Sequence, residues 1–96
     1  MEIRQTSIAG TMEASDVMIT VEPDRNGIEI ELESIVEKQF GREIRRAINE
    51  TLAELGVENA RIKAVDKGAL DCTIRARVKA AVHRAAGITV CDWKLR

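Results

Sequence analysis

The chain has 96 residues, 45% apolar and 32% charged, and its 15 Lys and Arg nearly cancel 16 Asp and Glu to leave a net charge of −1. That length builds one core and one domain, spanning 1–96, and the composition is that of a globular chain rather than a disordered one. The charge balance argues against nucleic-acid binding, which needs a basic surplus to displace counterions, and one Phe with one Trp supply too few rings for base stacking.

No apolar run reaches the length of a membrane span, and Met1-Glu2-Ile3-Arg4 does not open like a signal peptide, so a cytoplasmic address is expected. Cys72 and Cys91 have no zinc or redox spacing. Cys72, set in an alternating apolar run, reads as a plain buried thiol, and Cys91 as half exposed without a role.

Residues 1–16 read as an extended or loosely ordered, flexible arm that ends in a small-residue loop, Gly10-Thr11-Met12-Glu13-Ala14-Ser15-Asp16. A short hydroxyl side chain there sits on a tether beside a rigid scaffold, with nothing nearby in the chain to activate it. Such a serine suits modification by another enzyme better than catalysis of its own.

Val17, Ile19 and Val21 then alternate with Met18, Thr20 and Glu22, the period-two pattern of a half-buried strand. Pro23-Asp24-Arg25-Asn26-Gly27 is a turn, and Ile28, Ile30 and Leu32 alternate with Glu29, Glu31 and Glu33 beyond it. The two runs are expected to pair as a hairpin.

Ser34-Ile35-Val36-Glu37 has the form of a capping box. Val36, Phe40, Ile44, Ala47, Ile48, Leu52 and Leu55 follow at helical spacing, and Gly56 stops the helix with a left-handed cap. Arg42, Arg45, Arg46, Glu50 and Glu54 point the other way, as a solvated face or a partner-docking surface.

Ala60, Ile62 and Ala64 mark a third strand. Leu70, Cys72, Ile74, Ala76 and Val78 alternate as a fourth, although Ile74, Val78, Ala81, Val82 and Ala85 also fit a helical stripe. The boundary near 76–79 therefore stays open, with a helix from Ala80 to Ala86 that stops at Gly87 and a tail over 88–96. His83 reads as a surface or boundary residue. Trp93 either anchors the tail or docks a neighbour. The expected fold class is α+β, a two-layer sandwich of an antiparallel sheet of about four strands with two helices packed on one face. Glutamates on the second strand facing Arg and Lys on the third and fourth would help select that pairing.

Three stretches carry a resemblance: Gly10-Thr11-Met12-Glu13 with Asp16-Val17-Met18-Ile19, then Val36-Glu37-Lys38-Gln39-Phe40-Gly41, then Asp66 through Arg77. In that order they resemble the acyl carrier protein, or gamma subunit, of citrate lyase over nearly the whole chain. The resemblance implies a non-catalytic carrier that bears covalent 2'-(5''-phosphoribosyl)-3'-dephospho-CoA, installed on a loop serine by a prosthetic-group transferase. The thiol of that arm would carry acetyl or citryl between an alpha acyl-transferase subunit and a beta lyase subunit as citrate is cleaved.

It also implies that the attachment serine directly follows Glu13 and precedes Asp16 by two residues, with Glu13 and Asp16 as recognition residues. Here that slot is Ala14, which has no oxygen to esterify. Either Ala14 makes this an unmodifiable apo form, or Ser15 takes over, about 3.5 Å along an extended backbone. Ser15 also fits an ordinary turn or cap hydroxyl near Asp16. Competing readings are the acyl carrier of malonate decarboxylase, a small assembly or regulatory module without a prosthetic group and, last, an enzyme in its own right, for which no catalytic constellation is visible.

Overall fold

The computed structural model describes residues 1–35 and 37–87, without the side chains of residues 37 and 38. Six elements follow in order: β1 (Ser7–Gly10), β2 (Val17–Glu22), β3 (Ile28–Ser34), α1 (Glu37–Glu54), β4 (Ala60–Asp66) and α2 (Asp71–Ala85). The strands form one sheet in the order β1-β2-β4-β3.

The α+β two-layer arrangement is as expected, but the sheet is mixed. β2 pairs antiparallel with β1 and β4, whereas β3 runs parallel to β4. A parallel neighbour needs a crossover, and α1 supplies it between β3 and β4. The expected hairpin of β2 with β3 is therefore not formed, because β4 lies between them.

The 23–27 segment still turns, with Asp24 Oδ1 accepting the amides of Arg25 and Asn26 at 2.6 and 3.2 Å. It arches across the start of β4 instead of closing a hairpin. Ala60 N–H donates to Gly27 C=O at 3.0 Å, and Gly27 N–H to Asn59 Oδ1 at 2.8 Å.

The register explains the strand order. Ile19 faces Ala64 and Val21 faces Ile62 across β2 and β4, while Ile30 faces Ile62 and Leu32 faces Ala64 across β3 and β4. One face of β4 thus matches apolar residues on both neighbours. Val17, Ile19, Val21 and Ile62 are buried in one core with Ile48 and Leu52 of α1 and Ile74, Val78 and Val82 of α2. Burial of each such aliphatic side chain stabilises by roughly 1.5–3 kcal/mol relative to exposure. On the opposite face Arg61 meets Glu29 at 3.4 Å, the expected strand-to-strand charge pairing.

Two segments depart from expectation. Residues 70–78 form no strand: α2 starts at Asp71, and Ile74, Val78, Ala81, Val82 and Ala85 are its buried stripe. Cys72 consequently lies on the outer side and is exposed, not buried. The fourth strand comes instead from the N-terminal stretch, for which the sequence offers an extended or a loosely ordered arm; residues 7–10 are extended and paired. There Ile3 and Ala9 are buried. Arg4 and Gln5 N–H both donate to Ala85 C=O, at 2.9 and 3.1 Å, and Arg84 Nη1 donates to Ile8 C=O at 2.9 Å.

On α1 the stripe Ile44, Ala47, Ile48 and Leu52 is buried as expected, but Phe40 remains 46% exposed. Its charged face is only partly solvated. Glu50 takes Arg75 of α2 at 2.7 Å, Arg46 at 3.3 Å approaches the same carboxylate, and Arg45 Nη1 donates to Ile30 C=O at 3.0 Å. Gly56 has φ +70, the left-handed stop that the sequence indicated. Val36, the Glu37 carboxylate of the capping box, Cys91, Trp93 and the rest of the tail lie outside what is described.

Candidate functional site: the Thr11–Asp16 loop

The loop between β1 and β2 begins at Gly10, whose φ is +95. A Cβ added there would stand 1.8 Å from the Val17 carbonyl oxygen, so any side chain would force the two strands apart. Glycine is thus required where the loop leaves the sheet.

Its tip is a reverse turn, Glu13-Ala14-Ser15-Asp16, closed by Asp16 N–H donating to Glu13 C=O at 3.1 Å. Ser15 occupies the third position with φ 66, where glycine or asparagine is at home. Its N–H donates to Lys67 C=O at 2.8 Å, and Lys67 N–H donates to Asp16 C=O at 2.9 Å. These bonds extend the β2–β4 ladder past its last pair, Val17 with Asp66. The turn is therefore stapled to the exit of β4.

That exit is itself fixed. The Asp66 side chain, fully buried, accepts Ser34 Oγ–H at 2.8 Å and Ala69 N–H at 3.0 Å.

Asp16 organises the base of the loop. Its carboxylate accepts four hydrogen bonds: Val17 N–H at 2.8 Å, Thr11 Oγ1–H at 2.7 Å, and Arg77 Nε and Nη2 at 3.1 and 3.0 Å. The Arg77 guanidinium, then Thr11 and the Val17 amide, hold the carboxyl at about 2, below its ordinary 3.8. Thr11 Oγ1 also accepts Glu13 N–H at 3.2 Å.

Thr11 is thus spent as both donor and acceptor. Ser15 Oγ has no partner among the described residues, and Glu13, Ala14 and Ser15 are all exposed. The turn-or-cap reading of Ser15, with its hydroxyl bonded near Asp16, is not what the geometry displays.

The four residues singled out from the sequence, Glu13 to Asp16, share this one turn. What sequence reasoning missed is its support. Arg77, Lys67 and Gly10 hold the turn, and Arg77 falls in the stretch 76–79 where the sequence leaves strand and helix open. Its position one residue before buried Val78, with Ile74 three residues back, would have placed it at the edge of a helical stripe beside the core. Among the described residues no group of three or more His, Cys, Asp or Glu is arranged to hold a metal ion.

Residues 4–85 match a family model, ACP, described as malonate decarboxylase delta subunit (MdcD). Curated relatives named citrate lyase acyl carrier protein include one from Streptococcus uberis, 63% identical over 98% of this chain and 93% of the relative. Another, from Streptococcus mutans, is 61% identical over the same shares. A chain in the crystal structure of a Pseudomonas malonate decarboxylase hetero-tetramer in complex with malonate shares the fold, with TM-score 0.74 and 17% identity over 86% of each chain. This chain belongs to the family of the citrate lyase acyl carrier proteins.

Proposed function

We propose that the chain is the acyl carrier subunit of a citrate lyase, passing acetyl and citryl thioesters between alpha and beta subunits. The observation that carries this reading is identity above 60% across nearly the full length to proteins of that name. The loop geometry supports it. A carrier must hold its attachment point away from its own core, yet stop that point from collapsing onto the surface. The stapled turn with exposed residues 13–15 does both. The chain's contribution would be positional, since tethering raises the local concentration of a thioester at two active sites in turn.

The group implied is 2'-(5''-phosphoribosyl)-3'-dephospho-CoA, placed by a prosthetic-group transferase. When bound, it supplies the thiol on which acyl groups travel. The usual slot does not fit it, because Ala14 offers only a methyl group. Position 14 therefore cannot bear the group. Glu13, exposed at the tip, would be the feature a transferase meets first, while Asp16 at its foot would act by holding the turn in shape.

Malonate decarboxylase is the second reading, favoured by the family description and by the shared fold. One reconstitution separates the two. Ala14→Ser protein carrying the arm is mixed with citrate lyase alpha and beta subunits and, separately, with malonate decarboxylase lacking its carrier. Oxaloacetate from citrate in the first mixture is expected. Activity confined to the second would overturn the citrate lyase reading.

A further inference from the structure

We infer that Ser15 Oγ is the acceptor hydroxyl of this loop, the atom esterified in place of the missing oxygen at position 14; this rests on the carrier reading above. The loop holds two hydroxyls, and the fold commits only one. Thr11 Oγ1 is bonded to Asp16 Oδ2 and to the Glu13 amide, so using it would dismantle the base of the turn. Ser15 Oγ is exposed and meets no described partner, while its backbone is fixed by Lys67 C=O at 2.8 Å.

The backbone adds a second, independent reason. At φ 66 a glycine would be less strained, and no hydrogen bond of the serine side chain offsets the difference. Use of the hydroxyl by something outside the chain accounts for a serine at this position.

Among the described residues, no hydrogen bond joins the Ser15 hydroxyl to a base. The Asp16 carboxylate is the nearest acid in sequence, and its four hydrogen bonds occupy both oxygens. In the transfer, the Oγ–P bond forms as the bond from that phosphorus to a leaving diphosphate breaks, in a donor of the triphosphate-ester class. The hydroxyl proton passes to a base on the transferase, and no oxidant or reductant is needed.

The test uses the full chain, a prosthetic-group transferase of a citrate lyase system and its triphosphate donor, read by intact mass and by fragmentation mapping of the modified peptide. Three proteins are compared: the parent, Ser15→Ala, and Ala14→Ser combined with Ser15→Ala. The parent is expected to gain one adduct mapped to Ser15, with at least a tenfold loss in Ser15→Ala. Modification of the double variant alone would overturn the inference and leave the carrier reading standing. Failure of all three would remove the carrier reading and this inference with it. An adduct on the parent that persists in Ser15→Ala would locate the acceptor elsewhere and overturn the inference alone.

Discussion

Arg77 and Asp16 stand 61 residues apart in the chain, yet the guanidinium grips the carboxylate with two parallel bonds, Nε to Oδ1 at 3.1 Å and Nη2 to Oδ2 at 3.0 Å. The pair joins α2 to the foot of the candidate attachment loop. It couples the position of that loop to the packing of a helix that shares no local sequence with it.

Replacing Arg77 by Met removes the fork and leaves a carboxylate, only 14% exposed, short of two donors. The expected loss is about 1–3 kcal/mol in denaturant unfolding, with faster amide exchange at Ser15 and Val17. Arg77→Lys should recover only part of this, since an ammonium offers a point charge rather than a matched fork. Unchanged exchange in Arg77→Met would mean that the Lys67 staple holds the turn unaided.

Acid should find the same pair. Asp16 titrates at about 2 in the fold and near its ordinary 3.8 when unfolded, so between those values the unfolded chain binds more protons. This contribution to stability is present above about pH 4 and is lost as pH falls toward about 2. Comparing melting temperatures of the parent and Asp16→Asn across that window isolates it. The gap between them should narrow steadily as pH drops.

Two glycines with positive φ should respond differently to alanine. At Gly10 the new Cβ would meet Val17 O at 1.8 Å, whereas at Gly27 nothing lies within 4 Å. Gly27→Ala is expected to cost about 1–2 kcal/mol for backbone strain alone. Gly10→Ala should cost more than about 3 kcal/mol, because the β1–β2 junction must also open. Thermal melts of the two variants give the comparison directly.

Thiol labelling reads the face of residues 71–85. In a Cys91→Ser background, Cys72 should react in the native protein nearly as fast as in the denatured one, since it is exposed. A cysteine introduced as Val78→Cys, with Cys72→Ser, should stay protected until unfolding, because Val78 is fully buried. A strand would put positions 72 and 78 on the same face and make them react alike.

The sequence by itself determined the elements whose apolar spacing has one interpretation. The stripe from Ile44 to Leu52 fits only a helix, and Val17-Ile19-Val21 and Ala60-Ile62-Ala64 fit only strands, because that periodicity is written in neighbouring residues. That residues 10–16 form a loop ahead of the strand was equally legible, although the turn that closes it was not. Residues 70–78 were not, since Ile74 and Val78, four apart, satisfy both periods. Their burial against the sheet decided for the helix.

Ser7–Gly10 is short and buries only Ala9 on its inner face, too weak a signal to stand out from an arm. Strand order was beyond local pattern altogether. β4 separates β2 from β3 because its inward face matches both, a gain that exists only when segments distant in the chain meet. The grip of Arg77 on Asp16 has the same origin. Periodicity is a property of near neighbours, whereas the choice of partner depends on surface removed from water across the whole fold.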